Sequence, residues 1–118
     1  MSIMSQDETS RSGPHRRVER ILDQMAITYE SEREFRPYSV DIYLPEWHLG
    51  IEIDGPSHSA TRDAKRDDFL MSKCHLPIMR IKAAGMDVNV IKKAVEEFIG
   101  DWYADSSQRK RAYTEETP

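Results

Sequence analysis

Three carboxylates stand close together in the stretch from Tyr38 to His58, which reads YSVDIYLPEWHLGIEIDGPSH. Val40, Ile42 and Leu44 alternate with Asp41 and Tyr43, and Leu49, Ile51 and Ile53 alternate with Gly50, Glu52 and Asp54. A period of two predicts a pair of β-strands, each with an apolar face and an acidic face. With Leu44 facing Leu49 across the intervening turn, Asp41 falls opposite Glu52, and Asp54 lies one step along the same face. Like charges that face each other across strands are destabilising. Asp41, Glu52 and Asp54 on one face therefore point to a bound cation, and their oxygens suit a hard divalent metal.

Two more groups bear on this centre. His58 follows Asp54 through Gly55 and Pro56, a loop that can return it towards the carboxylates. There it can ligate a metal or move a proton near neutral pH; the plain alternative is a loop histidine bonded to backbone. Glu19 sits beside the apolar stripe Val18, Ile21, Leu22 and Met25, with Arg16, Arg17 and Arg20 nearby. Taken alone it reads as a solvated residue paired with arginines one turn away.

The elements that must position these groups follow from periodicity. Gly13-Pro14 marks the start of a first helix, with Ser12 or Gly13 as its cap, ending near Ile27. Thr28 to Phe35 reads as a short edge strand, and Arg36-Pro37 opens the hairpin. Pro45-Glu46-Trp47-His48 is its turn, with Trp47 folding back onto the sheet and His48 solvated. Thr61 is the expected cap of a second helix whose apolar face is Ala64, Phe69, Leu70 and Cys74. Its first turns carry Arg62, Lys65 and Arg66, which can hold phosphates, although Asp63, Asp67 and Asp68 dilute their field; the plain alternative is a solvated charged face. Leu76 to Lys82 reads as a further core strand, with Arg80 on the face of Ile78 and Lys82 at the exit. Asp87 or Asn89 caps a last helix with the stripe Val88, Ile91, Val95, Phe98, Ile99 and Trp102.

This order of elements predicts one α/β domain over residues 13–103, a mixed central sheet flanked by helices, between flexible tails at 1–12 and 104–118. The length of 118 residues allows one modest core. Charged residues make up 32% and hydrophobic ones 38%, and no apolar run approaches the roughly 20 residues of a membrane-spanning helix. A lone cysteine, Cys74, suits a reducing cytoplasmic setting. The formal net charge of −4 argues against a simple phosphate-binding module. There is no CxxC pair, internal repeat or glycine-rich phosphate loop.

The segments VDIYLPEWHLGIEIDGPSH, RDAKRDDFL and LPIMRIK together resemble the small PD-(D/E)XK-fold nucleases, particularly the DUF559-type group. They are also similar to the very-short-patch mismatch repair endonucleases and the EDxHD homing endonucleases of phage. The resemblance implies a restriction-endonuclease-like core over residues 14 to about 100. It implies Asp41 as the central metal ligand and Glu52 as a second ligand or water-orienting group. Asp54 stands where standard members carry lysine, a departure from the usual lysine-based activation of water. His58 would then serve as general base or metal ligand, Glu19 would add an acidic group from the first helix, and Asp63 would stand at the trailing aspartate of the EDxHD pattern. The activity implied is Mg²⁺-dependent hydrolysis of DNA phosphodiesters, with Mn²⁺ able to substitute, in a bacterial or phage-infected cell. Arg62, Lys65, Arg66, Arg80 and Lys82 are the expected DNA contacts, and a homodimer or separate specificity subunit would supply sequence selection. The rival expectations are a catalytically weak binding or assembly module on the same fold, and a nuclease working only inside a larger machine.

Overall fold

The computed structural model describes residues 13–55 and 59–116. Four strands form one sheet in the order β1-β2-β3-β4: β1 Glu30–Phe35, β2 Tyr38–Leu44, β3 Leu49–Ile53 and β4 Ile78–Ile81. Four helices surround it: α1 Gly13–Gln24, α2 Ala60–Cys74, α3 Val88–Trp102 and α4 Ser106–Glu116. β1, β2 and β3 are successively antiparallel, whereas β3 and β4 are parallel. A parallel pair needs a long crossover, and α2 supplies it. The sheet is therefore mixed and flanked by helices, as the sequence predicts. Among the described residues no helix is long and apolar enough to cross a membrane.

Two apolar clusters hold the layers together. On one face Ile42, Leu44, Leu49 and Ile51 pack against Val18 and Leu22 of α1 and Ile91 and Val95 of α3. These side chains are fully buried, and each adds about 1.5–3 kcal/mol of transfer free energy. On the other face Phe35, Val40 and Tyr43 pack against Leu70 and Cys74 of α2, with Tyr113 of α4 against them. The i, i+3, i+4 stripes read from the sequence for α1 and α3 are the surfaces that face the sheet. Gly50 lets β4 approach: a Cβ there would lie 2.6 Å from Ile78 Cδ1.

The hairpin register is the expected one, with Leu44 opposite Leu49 and Ile42 opposite Ile51. The simple alternation of β2, however, breaks at Asp41. Val40 belongs to the α2 side while Ile42 and Leu44 belong to the α1/α3 side. The cause lies on β1, where Glu32 has a left-handed backbone with φ of 53° between the pairs Ser31–Ile42 and Arg33–Val40. Ser31 reaches Glu19 of α1, yet Arg33 lies over the Phe35 and Tyr43 rings on the opposite face. The pleat of both strands thus changes sides at the Glu32–Asp41 step.

Three other expectations are corrected. α2 is capped by Ser59, whose hydroxyl accepts from the Arg62 N–H, so Thr61 lies inside the helix. His48 is buried, not solvated: Nδ1 is 2.8 Å from the Tyr43 hydroxyl and Nε2 is 2.8 Å from the Cys74 carbonyl. The chain after residue 104 is not a loose tail but continues into α4. Arg109 of α4 is buried and donates to the Trp102 carbonyl at 2.9 Å and the Trp47 carbonyl at 2.8 Å. It thereby satisfies open groups at the α3 C-terminus and the hairpin turn. Lys110 adds a bond to the Glu46 carbonyl. Of the two expected caps of α3, Asp87 is the one used, its carboxylate accepting from the Asn89 N–H. The expected N-terminal tail, residues 1–12, and His58 lie outside the described residues.

Candidate active site

The hairpin and the β3–β4 pair bring the acids of the sequence to one end of the sheet. Asp41 Oδ2 accepts the Ile53 N–H at 2.8 Å, and Glu52 Oε2 accepts the Asp41 N–H at 2.7 Å. The two side chains thus replace backbone pairing just beyond Ile42–Ile51. Glu52 is 4% exposed. Burial first, and the Asp41 charge second, push its carboxyl up to about 7, against the Asp41 N–H, Arg66 and Arg80, which favour the charged form. Arg66 of α2 pairs with the other Glu52 oxygen and lies 5.9 Å from the Tyr38 ring centroid.

Asp54 is held in a second group. Arg80 stands beside Glu52 in the parallel ladder, and its guanidinium turns towards α2. It donates to Asp54 Oδ1 at 3.0 Å and, through two nitrogens, to both Asp67 oxygens at 2.9 and 2.7 Å. Asp63 Oδ2 is 3.5 Å from the same guanidinium. Burial opposes the Arg80 charge, but its bonds to Asp67 and Asp54 outweigh that and raise its pKa above the ordinary arginine value. Arg80 therefore ties β3, β4 and α2 together at the mouth of the site.

Between these groups opens a cleft of about 220 Å³, walled by Glu52, Asp54, Asp63 and the arginines 62, 66 and 80. Arg62 is exposed on its rim; Lys65 and Lys82 are exposed outside its lining. Asp41, Glu52 and Asp54 do not form the single acidic face that strict alternation predicts. The side change at Asp41 and the reach of Arg80 divide them into an Asp41–Glu52 pair and an Asp54–Arg80–Asp67 group. Among the described residues no three His, Cys, Asp or Glu side chains gather as a metal-holding group. Glu19 is buried on the α1 side, bonded by the Ser31 hydroxyl and 3.2 Å from His15 Nε2. The sequence reading missed His15 and named Asp67 only as an acid diluting the field of the α2 arginines. The i, i+4 spacing of His15 and Glu19 on one helix is a signal that finds the first. The partnership of Asp67 with Arg80 is long-range and leaves no local pattern.

A solved structure similar to this chain is titled "Homing Endonuclease I-Bth0305I Catalytic Domain". The two share 26% identity with a TM-score of 0.65, over 77% of this chain and 97% of that one. The likeness agrees with a restriction-endonuclease-like arrangement of sheet and helices and with the homing-endonuclease side of the resemblance. It does not single out the DUF559-type or very-short-patch groups. No protein-family model matches the chain. No curated protein sequence matches it either.

Proposed function

We propose that this protein is a metal-dependent DNA endonuclease that nicks or cuts phosphodiester bonds, of a homing or related DNA-processing type. The observation that carries the reading is the Asp41–Glu52 pair beside an arginine-lined cleft, on a fold similar to a homing-endonuclease catalytic domain. Mg²⁺ takes one or two carboxylates and completes its shell with waters and substrate phosphate. Asp41 and Glu52 fit that requirement: both offer hard oxygens, and a cation between them relieves the repulsion and burial that raise the Glu52 pKa. Asp54 gives one oxygen to Arg80 and would join the donor pair only through the other. Mg²⁺, or Mn²⁺ in its place, would lower the pKa of water and offset charge on the phosphate.

The chain's own residues supply the remainder. Arg62 and Arg66 on the cleft wall suit phosphate oxygens, which a guanidinium can bind in bidentate fashion. Arg80 serves as an organiser: by binding Asp54, Asp63 and Asp67 it fixes α2 against β3 and β4. His58 remains the candidate proton carrier. A second copy or a separate specificity subunit would select the DNA sequence.

The test is incubation of the protein with supercoiled plasmid and Mg²⁺, Mn²⁺ or EDTA, beside Asp41→Asn. Metal-dependent nicking that the variant loses supports the reading; equal nicking by the variant rejects the site. A second reading, a binding module without cleavage, is favoured by the protein's own cations already facing Glu52 and Asp54. It expects DNA retardation in a gel with no nicking under any metal condition.

A further inference from the structure

The two inner arginines of the cleft are held very differently. Arg80 makes contacts with three carboxylates from β3 and α2. Among the described residues Arg66 pairs with one carboxylate, Glu52, and lies against the face of Tyr38. Its side chain is 26% exposed, whereas that of Glu52 is 6% exposed. Arg66 thus has fewer ties to give up than Arg80. Both Glu52 oxygens are committed, one to the Asp41 N–H and one to Arg66. A divalent cation arriving at Glu52 thus meets a guanidinium at contact distance, and at a few ångströms such like charges repel by about 1–4 kcal/mol even with good screening.

We propose that Arg66 is an exchangeable internal counter-ion. In the free protein it neutralises Glu52; when a divalent cation occupies the Asp41–Glu52 pair, Arg66 turns out to a phosphate oxygen of the nucleic acid in the cleft. The inference rests on the nuclease reading and assigns Arg66 a role in coupling the two ligands. Metal and DNA then bind cooperatively, because each removes Arg66 from the position that hinders the other, and the coupling is reciprocal.

The test measures Mn²⁺ binding by calorimetry, with and without a short duplex, for the wild type, Arg66→Ala and Arg66→Lys. Without DNA, Arg66→Ala binds Mn²⁺ about tenfold more tightly than wild type, and Arg66→Lys stays near wild type. In the wild type the duplex tightens Mn²⁺ binding; in Arg66→Ala that gain shrinks to what direct attraction between metal and phosphate supplies. A purely structural Arg66 would leave Mn²⁺ affinity unchanged or weakened. If the wild type binds Mn²⁺ and nicks plasmid, yet Arg66→Ala shows unchanged affinity and unchanged coupling, the exchange is overturned and the nuclease reading stands. If the wild type neither binds Mn²⁺ nor nicks plasmid, both fall together. Thermal melts of the two variants identify any loss of fold, and Arg66→Gln, close in length and uncharged, then replaces Arg66→Ala.

Discussion

Asp41 and Glu52 are joined by interlocking bonds across β2 and β3: the Asp41 N–H donates to Glu52 while the Asp41 carboxylate accepts from Ile53, the next residue. Asp41 thus has a structural bond as well as a chemical role. Asp41→Asn keeps an acceptor for the Ile53 N–H and removes the charge. Plasmid nicking should fall by about 100-fold or more, as for loss of a ligand or its support. The melting temperature should stay within a few degrees of wild type, or rise, because repulsion with Glu52 is relieved. A variant that nicks normally, or one that is unfolded at 25 °C, would contradict this account.

Glu52 makes the free protein less stable as pH rises. Its folded pKa of about 7 lies above the ordinary 4.5, so between those values the native state keeps a proton that the unfolded chain has released. The cost grows through that window and is complete above pH 7. Glu52→Gln should therefore stabilise the protein by about 1–3 kcal/mol at pH 8, with little gain near pH 4. Thermal melts at the two pH values decide the matter; an equal gain at both would refute it.

Arg80 bridges three carboxylates and offsets their mutual repulsion. Arg80→Ala leaves Asp54, Asp63 and Asp67 facing one another and should cost about 1–3 kcal/mol in urea denaturation, less than for a fully dry pair because the side chain is 20% exposed. Arg80→Lys should recover only part of the loss, since an ammonium cannot reproduce the two-nitrogen grip on Asp67. Full recovery by lysine would show that charge alone matters.

His48 acts in the opposite pH sense. Burial lowers its pKa below the ordinary 6.5, ahead of the opposing bond to the Cys74 carbonyl. As pH falls through 6.5 the unfolded chain takes up a proton that the native state refuses, and stability drops. His48→Gln should cost about 1–3 kcal/mol at pH 8, through loss of one of two buried bonds, and should flatten the acid limb of the stability curve. An unchanged acid limb would rule out His48 as its source.

Much of the fold is legible locally. The apolar stripes of α1 and α3, the Leu44–Leu49 register and the Asp87 cap all follow from spacing. Asp41 and Glu52 could be paired from sequence because a hairpin register propagates along both strands. Their separation from Asp54 could not, since it depends on Arg80 reaching α2 and on a left-handed Glu32 that no glycine announces. α4 escaped for a related reason: Arg109 docks by polar bonds, and its segment has no apolar period. His48 sits at a turn, where exposure is the usual outcome, but Tyr43 and the end of α2 close over it.

The bond from Arg109 to the Trp47 carbonyl joins positions 62 residues apart. Closing so long a loop carries an entropy that local contacts avoid, so contacts of this kind slow folding. The β2–β3 hairpin can assemble early from neighbouring residues, whereas the clasp on its turn must await α2, β4, α3 and α4. Folding kinetics of variants should therefore show Leu44 and Leu49 contacts formed earlier in the transition state than the Arg109 clasp.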